Sequence, residues 1–391
     1  MALNDGLVDV PNIPLPIGDF ESKETVTDLC DSAFKWAFIG AGQAGARIAE
    51  AFWKIGYRRV CCVNTTSQDM AGIDIPEENK LVMDMGEGGA GKNPENGEKA
   101  AKKYYEDVYD LMRRSFGKDF DRVIVCAGAG GGTGGGSCET IIDIAHDICV
   151  SLRKEGPGMP PAVGAVVSMP MVSEGQKVNA NAHKLLSSLF GRVGKDSGKI
   201  SGRSLSPLAI IDNERIKKIY PGLSSSQFWK TANQSIASHF YLFNNIATAQ
   251  GDIWTFDKAD LKTVLDSGVV TFGACPLQKW DEATDISYAI RDNLRKTILV
   301  GDLEISQSQV AACIFIGNPD VLDSIPQDHL EHGFEMIGRI MSDKSTVHRG
   351  LYKGNKQGLV VYTILGELGA PTARLEEIAR IGGVGGTNQK Y

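Results

Sequence analysis

The sequence predicts an α/β protein built from a parallel-sheet domain, a long central helix and a smaller mixed α/β C-terminal domain. Three observations predict it. Strand-like apolar runs alternate with helix-forming stretches from residue 35 to about 220, the pattern of a parallel sheet with crossover helices. The stretch 224–249 opens on serines and contains no proline, which favours one long helix. Beyond it, shorter strand-like and helical segments interleave less regularly. With 391 residues and a hydrophobic fraction of 42%, the chain can bury two cores.

In the first domain the expected strands are KWAFIG (35–40), RVCCVNT (59–65), KLVMDM (80–85), RVIVCAG (122–128), AVGAVVSM (162–169) and PLAIID (207–212). Each runs into a glycine, polar or proline-containing loop. In an open α/β sheet ligands bind at the carboxyl ends of the strands, so these loops outline one site. In the second domain strands are expected at 268–276, 311–317, 345–353 and 358–366, with helices near 283–298 and 325–342. PTARLEEIARI (371–381) reads as a short amphipathic helix. The expected division is a flexible N-terminal arm (1–30), a first domain (31–223), a central helix (224–250), a C-terminal domain (251–370) and a helix with tail (371–391).

Composition narrows the function classes. A formal charge of −7 and a pI near 5.5 disfavour a nucleic-acid-wrapping surface, which needs clustered Lys and Arg. No stretch reaches the roughly 18 apolar residues of a membrane span, and no signal peptide is evident. The eight cysteines form no C-x-x-C pair, and several lie in apolar strand-like runs, as expected of reduced thiols in a cytoplasmic protein. His329 and His332 read as a solvated helix face rather than metal ligands, and Ser137 and Cys138 have no histidine placed as their base.

The strongest local signal is AGAGGGTGGGS, Ala127–Ser137, between an apolar strand and a helix-forming segment. Its six consecutive-motif glycines, Gly130, Gly131, Gly132, Gly134, Gly135 and Gly136, let backbone amides close on phosphate oxygens, with Thr133 supplying a hydroxyl. A second loop follows the first strand, where Gly40, Gly42 and Gly45 match G-x-G-x-x-G. Alone, that match suggests an NAD-dependent oxidoreductase of the Rossmann type. The dinucleotide fingerprint, however, wants an acid about 20 residues on, and the second strand ends in Asn64, Thr65 and Thr66. A third loop, GGAGKNPENG (88–97), places Pro94 near a helix start. Three such loops exceed what NAD requires and suit a nucleoside triphosphate with Mg2+.

GGGTGGG at 130–136 resembles the GGGTG(S/T)G signature of the tubulin/FtsZ superfamily, and the other loops agree in order. Gly-Gln-Ala-Gly (42–45) resembles the first tubulin phosphate loop, GAGKNPENG the third FtsZ loop, and IDNE (211–214) the tubulin guanine segment. GQAG together with VNTTSQDMAGIDIPEENK (63–80) is most similar to the CetZ branch.

The resemblance implies a GTP-binding first domain taking GTP/GDP and Mg2+, with no protein metal ligands assigned. Gly42, Gln43, Ala44, Gly45 and the loop Gly130–Gly136 would cradle phosphates, with Ala90, Gly91 and Asn93 at the γ-phosphate. Glu174 would hold the ribose, Asn213 and Asn233 the guanine edge, and Trp229 would stack on the base; Arg47 and Asn64 complete the expected set. TFDKADLKTVL (255–265) resembles the FtsZ synergy loop, placing Asp257 and Asp260 as the acids that polarise water in a neighbouring subunit's site. The implied function is a head-to-tail filament whose GTP hydrolysis depends on assembly, serving cell shape or division. As a lone residue, Asp257 reads more simply as a helix N-cap.

Several positions depart from the family pattern. Thr255 replaces the synergy-loop Asn, Arg47 an amide of the first helix, and Val178 an FtsZ Arg; GGVGGTNQKY (382–391) does not resemble the FtsZ adaptor peptide. These departures keep open a nucleotide-binding homologue that assembles without hydrolysis.

Overall fold

The computed structural model describes residues 33–86, 88–156, 159–193, 203–297, 299–355 and 357–384. The expected N-terminal arm (1–30) and the end of the tail lie outside these residues. Two compact units emerge among the described residues: one comprises Phe34–Ile216 with Ala370–Val384, the other Lys217–Gly369 with Ala33. The C-terminal helix thus belongs with the first unit, and the long central helix with the second.

The first unit is a parallel sheet in the order β3-β2-β1-β4-β5-β6. Its strands are β1 (Trp36–Ala41), β2 (Val60–Asn64), β3 (Lys80–Val82), β4 (Arg122–Gly128), β5 (Val163–Met169) and β6 (Leu208–Asp212). Every residue of β1, β2, β4, β5 and β6 is buried, as strands covered on both faces require, and this is why they read as unbroken apolar runs. β3 is shorter than the expected 80–85. Met83 N donates a last bond to Asn64 O at 2.7 Å, and Gly86 N then donates to Asp84 Oδ1 at 2.8 Å in a turn that leaves the ladder.

The crossover helices are α1 (Gly42–Lys54), α2 (Pro94–Lys103), α3 (Tyr105–Phe116), α4 (Gly132–Ser151) and α5 (Gln176–Phe190). In α1, Ala46, Ala49 and Phe52 recur at three-residue spacing and are buried, with the Phe52 ring stacked on Phe38 of β1 at 3.9 Å. α4 is buried nearly all round but keeps an acidic row, Glu139, Asp143 and Asp147, one helical turn apart. Arg192 reaches Asp143 at 2.9 Å, and Arg203 reaches Asp147 at 2.6 Å.

β6 leads into α6 (Asn213–Ile219), and the second unit continues with α7 (Ser225–Ile246), the expected central helix. Ser224 caps it by accepting from Gln227 N at 3.4 Å, while Gln227 returns the contact to Ser224 N. Its apolar face sets Phe240 and Phe243 against Phe272, with ring centroids 5.2 and 5.9 Å apart. α8 (Lys258–Leu265) precedes β7 (Val269–Leu277), α9 (Ala283–Asp292), β8 (Val310–Gly317), α10 (Pro319–Ser324), α11 (Gln327–Ile340), β9 (Thr346–Lys353) and β10 (Leu359–Leu368).

The strand order β7-β10-β8-β9 is antiparallel except for the parallel β8–β9 pair. α9 stops short of the expected residue 298 because the chain widens into a π turn at Asn293–Thr297, where buried Asn293 Nδ2 donates to Thr363 Oγ1 at 3.1 Å.

α12 (Thr372–Gly382) packs on α5 in the first unit; a Cβ on Gly382 would lie 2.8 Å from Ala180 Cα, so only glycine allows this approach. No helix among the described residues is long and apolar enough to cross a membrane.

Candidate functional site

The order of the parallel sheet reverses between β1 and β4, and the loops leaving those two strands meet there. Gly42 opens α1 at φ +67°, and a Cβ on it would stand 2.7 Å from Gly134 N. Gly45 lies against β4, where a Cβ would fall 2.2 Å from Cys126 O. The third loop closes from the other side: a Cβ on Gly132 would meet Asn93 N at 2.8 Å, and one on Gly136 would meet Pro94 O at 1.9 Å.

Most glycines of the expected phosphate cradle therefore serve close backbone packing. Residues 132–136 are not loop at all but the first turn of α4. Gly130 faces the Val178 side chain, which a Cβ would approach to 2.3 Å. Gly131 differs, since the nearest atom to a Cβ there is Gly128 O at 3.9 Å.

This packing brings together helix starts that no side chain caps. α1, α4 and α5 begin on Ala41, Gly131 and Gly175, none with a side-chain cap and none with an acid in the first turn. Side chains cap α2 (Asn93), α7 (Ser224) and α8 (Asp257), while α3, α10, α11 and α12 also start without a side-chain cap; what sets α1, α4 and α5 apart is that their starts meet at one loop cluster. The first amides of a helix lack intrahelical partners and sit at the positive end of its dipole, so uncapped starts of this kind attract anions.

Hydroxyl and amide side chains tie the loops to one another. Thr65 Oγ1 accepts from Ala90 N at 3.1 Å and lies 2.7 Å from Thr133 Oγ1. From α5, Asn181 Nδ2 donates to Lys92 O at 3.1 Å and to Gly130 O at 3.2 Å, while Lys177 Nζ reaches Gly91 O at 3.5 Å. Thr65, Asn181 and Lys177 are the residues that sequence reasoning missed. Thr65 carried a signal, since it stands at a strand end beside Asn64; the α5 pair had none.

A match to the family described as Tubulin/FtsZ family, GTPase domain, spans residues 35–192, the segment holding all three loops. Residues 35–192 thus carry a tubulin/FtsZ-family GTPase domain. Among its relatives, the cell division protein FtsZ of Haloferax mediterranei is 26% identical over 315 residues, covering 78% of this chain and 74% of that protein. The GTPγS-form protofilament of TubZ from Bacillus thuringiensis serovar israelensis superposes with a TM-score of 0.76 at 20% identity, covering 90% and 93% of the two chains. The GTPγS-bound protofilament of CetZ2 from Haloferax volcanii gives 0.70 at 19% identity, covering 88% and 97%.

The remaining expected residues of this chain, with its tubulin/FtsZ-family domain, fall in distinct settings. Gln43 is exposed and donates to Asp69 Oδ1 at 3.2 Å, while Ala44 and Arg47 are exposed on α1. Asn64 is fully buried: its Oδ1 accepts from Thr65 N at 2.8 Å, and its Nδ2 has no hydrogen-bond partner. Asn93, expected at the γ-phosphate, turns its Oδ1 onto Glu95 N at 3.1 Å as the α2 cap. Glu174 folds back to accept from Met171 N at 2.8 Å.

Asn213 is buried at the start of α6, beside Asp212, whose carboxyl is pushed up by burial while Arg374 of α12 acts to lower it. Arg374 also donates to Pro170 O at 2.6 Å, so α12 holds the ends of both β5 and β6. Asn233 and Trp229 lie on α7 in the other unit, both half-buried, with Trp229 edge-on to Phe228 at 5.1 Å.

Asp257 and Asp260 both belong to the start of α8. Asp257 Oδ1 accepts from Ala259 N at 2.7 Å and Asp260 N at 2.9 Å, and Asp260 Oδ2 accepts from Asp257 N at 3.2 Å. This reciprocal capping fixes both carboxylates, with Asp257 exposed and Asp260 half-buried. Capping and an acid role are compatible here, because an ionised carboxylate has further lone pairs to offer.

Burial pushes the Cys138 thiol, just after the glycine run, up to about 12, which removes it as a nucleophile near neutral pH. Among the described residues no group of three or more His, Cys, Asp or Glu could hold a metal.

Proposed function

We propose that the protein is a filament-forming GTPase whose turnover depends on head-to-tail assembly. The observation that carries this reading is the convergence of the uncapped starts of α1 and α4, with that of α5 closing the same loop cluster, at the point where the strand order reverses. One helix start is an ordinary feature, but a set tied together around Gly130–Gly132 by Thr65, Thr133 and Asn181 suits a chain of phosphates.

In this reading, amides from Gly42–Gly45 and Gly131–Gly135 hold the phosphates, and Gly91 with the Ala90–Asn93 turn lies at the terminal phosphate. Glu174 takes the ribose, Asn213 and Asn233 the guanine edge, and Trp229 the base plane. The unpartnered Nδ2 of Asn64 is a donor awaiting an acceptor. Asp257 and Asp260 act on the site of the next subunit in the filament, where they orient and polarise the attacking water; no covalent intermediate on the chain is needed. The protofilament relatives named above support self-association as the means of completing the site.

The test is phosphate release from GTP measured against protein concentration, with light scattering in parallel. Release per subunit should rise above a threshold concentration at which scattering also rises. A specific activity independent of concentration, or an absence of guanine-nucleotide binding, would remove this reading. Assembly with GTP but without phosphate release would favour the non-hydrolysing alternative, for which the departures at Thr255 and Arg47 speak.

A further inference from the structure

The segment before α8 is fastened along its length to one strand. Asp252 N donates to Leu351 O at 2.8 Å, and Leu351 N to Trp254 O at 3.0 Å. Phe256 N donates to the Tyr352 hydroxyl at 2.8 Å, and that hydroxyl donates to Phe256 O at 3.1 Å. Lys353 Nζ meets Asp252 Oδ1 at 3.1 Å. β9 thus acts as a rail for the acid-bearing loop, and its last contact along that loop is to an acid itself: His348 Nδ1 lies 2.7 Å from Asp260 Oδ1.

The bond fixes the chemistry of the ring. An ionised carboxylate only accepts, so Nδ1 carries the proton and donates it to Asp260. The opposite nitrogen, Nε2, is buried without a partner. The ring stands edge-on to Phe256 at 6.3 Å, with its side chain 15% exposed. His348 therefore has one polar task, and that task concerns Asp260. Oδ2 of the same carboxylate is held by Asp257 N, so the group is constrained at both oxygens.

We propose that His348 is a positioning residue for turnover: it locks the rotamer of Asp260 so that the remaining lone pairs face outward from the loop, toward water in a neighbouring subunit's site. The proposal rests on the reading of Asp260 as an acid used in trans. A carboxylate free to rotate would still cap α8 through its partner Asp257, but would present its lone pairs in several directions. Misplacement of an acting group on this scale costs on the order of 100-fold in rate.

Three substitutions in the full chain test it. His348→Asn keeps a donor near the Nδ1 position, His348→Gln moves the donor toward the Nε2 position, and His348→Phe keeps only the ring. Each is measured for GTP affinity, for assembly by light scattering and for phosphate release per assembled subunit, beside Asp260→Ala. The expected result is unchanged affinity and assembly throughout, turnover lowered on the order of 10-fold to 100-fold in the Gln and Phe variants, and recovery in the Asn variant. Wild-type turnover in His348→Phe, with Asp260→Ala inactive, would overturn the positioning role and leave the acid role of Asp260 standing. Wild-type turnover in Asp260→Ala would overturn both. Equal loss in the Asn and Phe variants together with lost assembly would make His348 merely structural and overturn the proposal.

Discussion

Arg374 Nε donates to Asp212 Oδ1 at 3.2 Å across most of the first unit's sequence, and each of the two side chains is 3% exposed. A buried ion pair of this kind is costly to break from one side, because the remaining charge has no water to turn to. Arg374→Ala should therefore destabilise the folded state by about 3–5 kcal/mol. Burial already pushes the Asp212 carboxyl up, and losing the guanidinium would push it further. Such a group binds its proton more readily folded than unfolded, so the deficit should shrink as pH falls and the carboxyl is neutralised. Urea unfolding of wild type and variant at pH 7.5 and 5 checks this; a deficit that grows toward pH 5 would contradict it.

Two glycines of the phosphate-loop motifs should respond oppositely to a methyl group. In Gly45→Ala the new Cβ meets Cys126 O, a backbone atom that cannot swing away, so a loss at or above roughly 3 kcal/mol is expected. Gly131→Ala places its Cβ in open space at φ −80°, so stability should stay within about 1 kcal/mol while GTP affinity falls. Thermal melting and nucleotide titration of both variants separate packing from binding.

Asp257 caps α8, and its proposed acid role needs the charge while the cap does not. Asp257→Asn should keep helix stability, since an amide oxygen also accepts from the Ala259 and Asp260 amides, whereas Asp257→Ala should cost about 1 kcal/mol. Phosphate release by assembled protein should fall in both. Wild-type release in the Asn variant would reduce Asp257 to a cap.

His239 on α7 is fully buried, and burial lowers its pKa from 6.5 to about 4, with its Nδ1 2.7 Å from Ser235 O. The unfolded chain therefore takes up a proton between those values that the folded chain refuses. Stability is full above about pH 6.5 and declines as pH falls toward about 4, with a slope of up to about 1.4 kcal/mol per pH unit from this group. Denaturation curves across that window, compared with His239→Gln, check it: the variant should lose about one proton's worth of slope.

Much of this architecture is legible in the chain. The five buried strands of the first unit are continuous apolar runs because both faces are covered, and the long α7 announces itself by a serine cap and the absence of proline. The glycine motifs also fall where the strand order switches between β1 and β4. Their individual tasks were not legible. Whether Gly45 or Gly131 leaves room for a ligand depends on which backbone lies opposite, and nothing local in G-x-G-x-x-G or GGGTGGG records that.

By itself the sequence determined the kinds and order of the elements and the phosphate-loop motifs, because these depend on residues near one another in the chain and on periods of two and 3.6 residues. Only the tertiary structure decided the partnerships: Arg374 with Asp212, Asn181 with Gly130, and His348 with Asp260. Those pairs join distant segments, and their geometry is set by how helices and strands pack, which no local pattern of residues encodes.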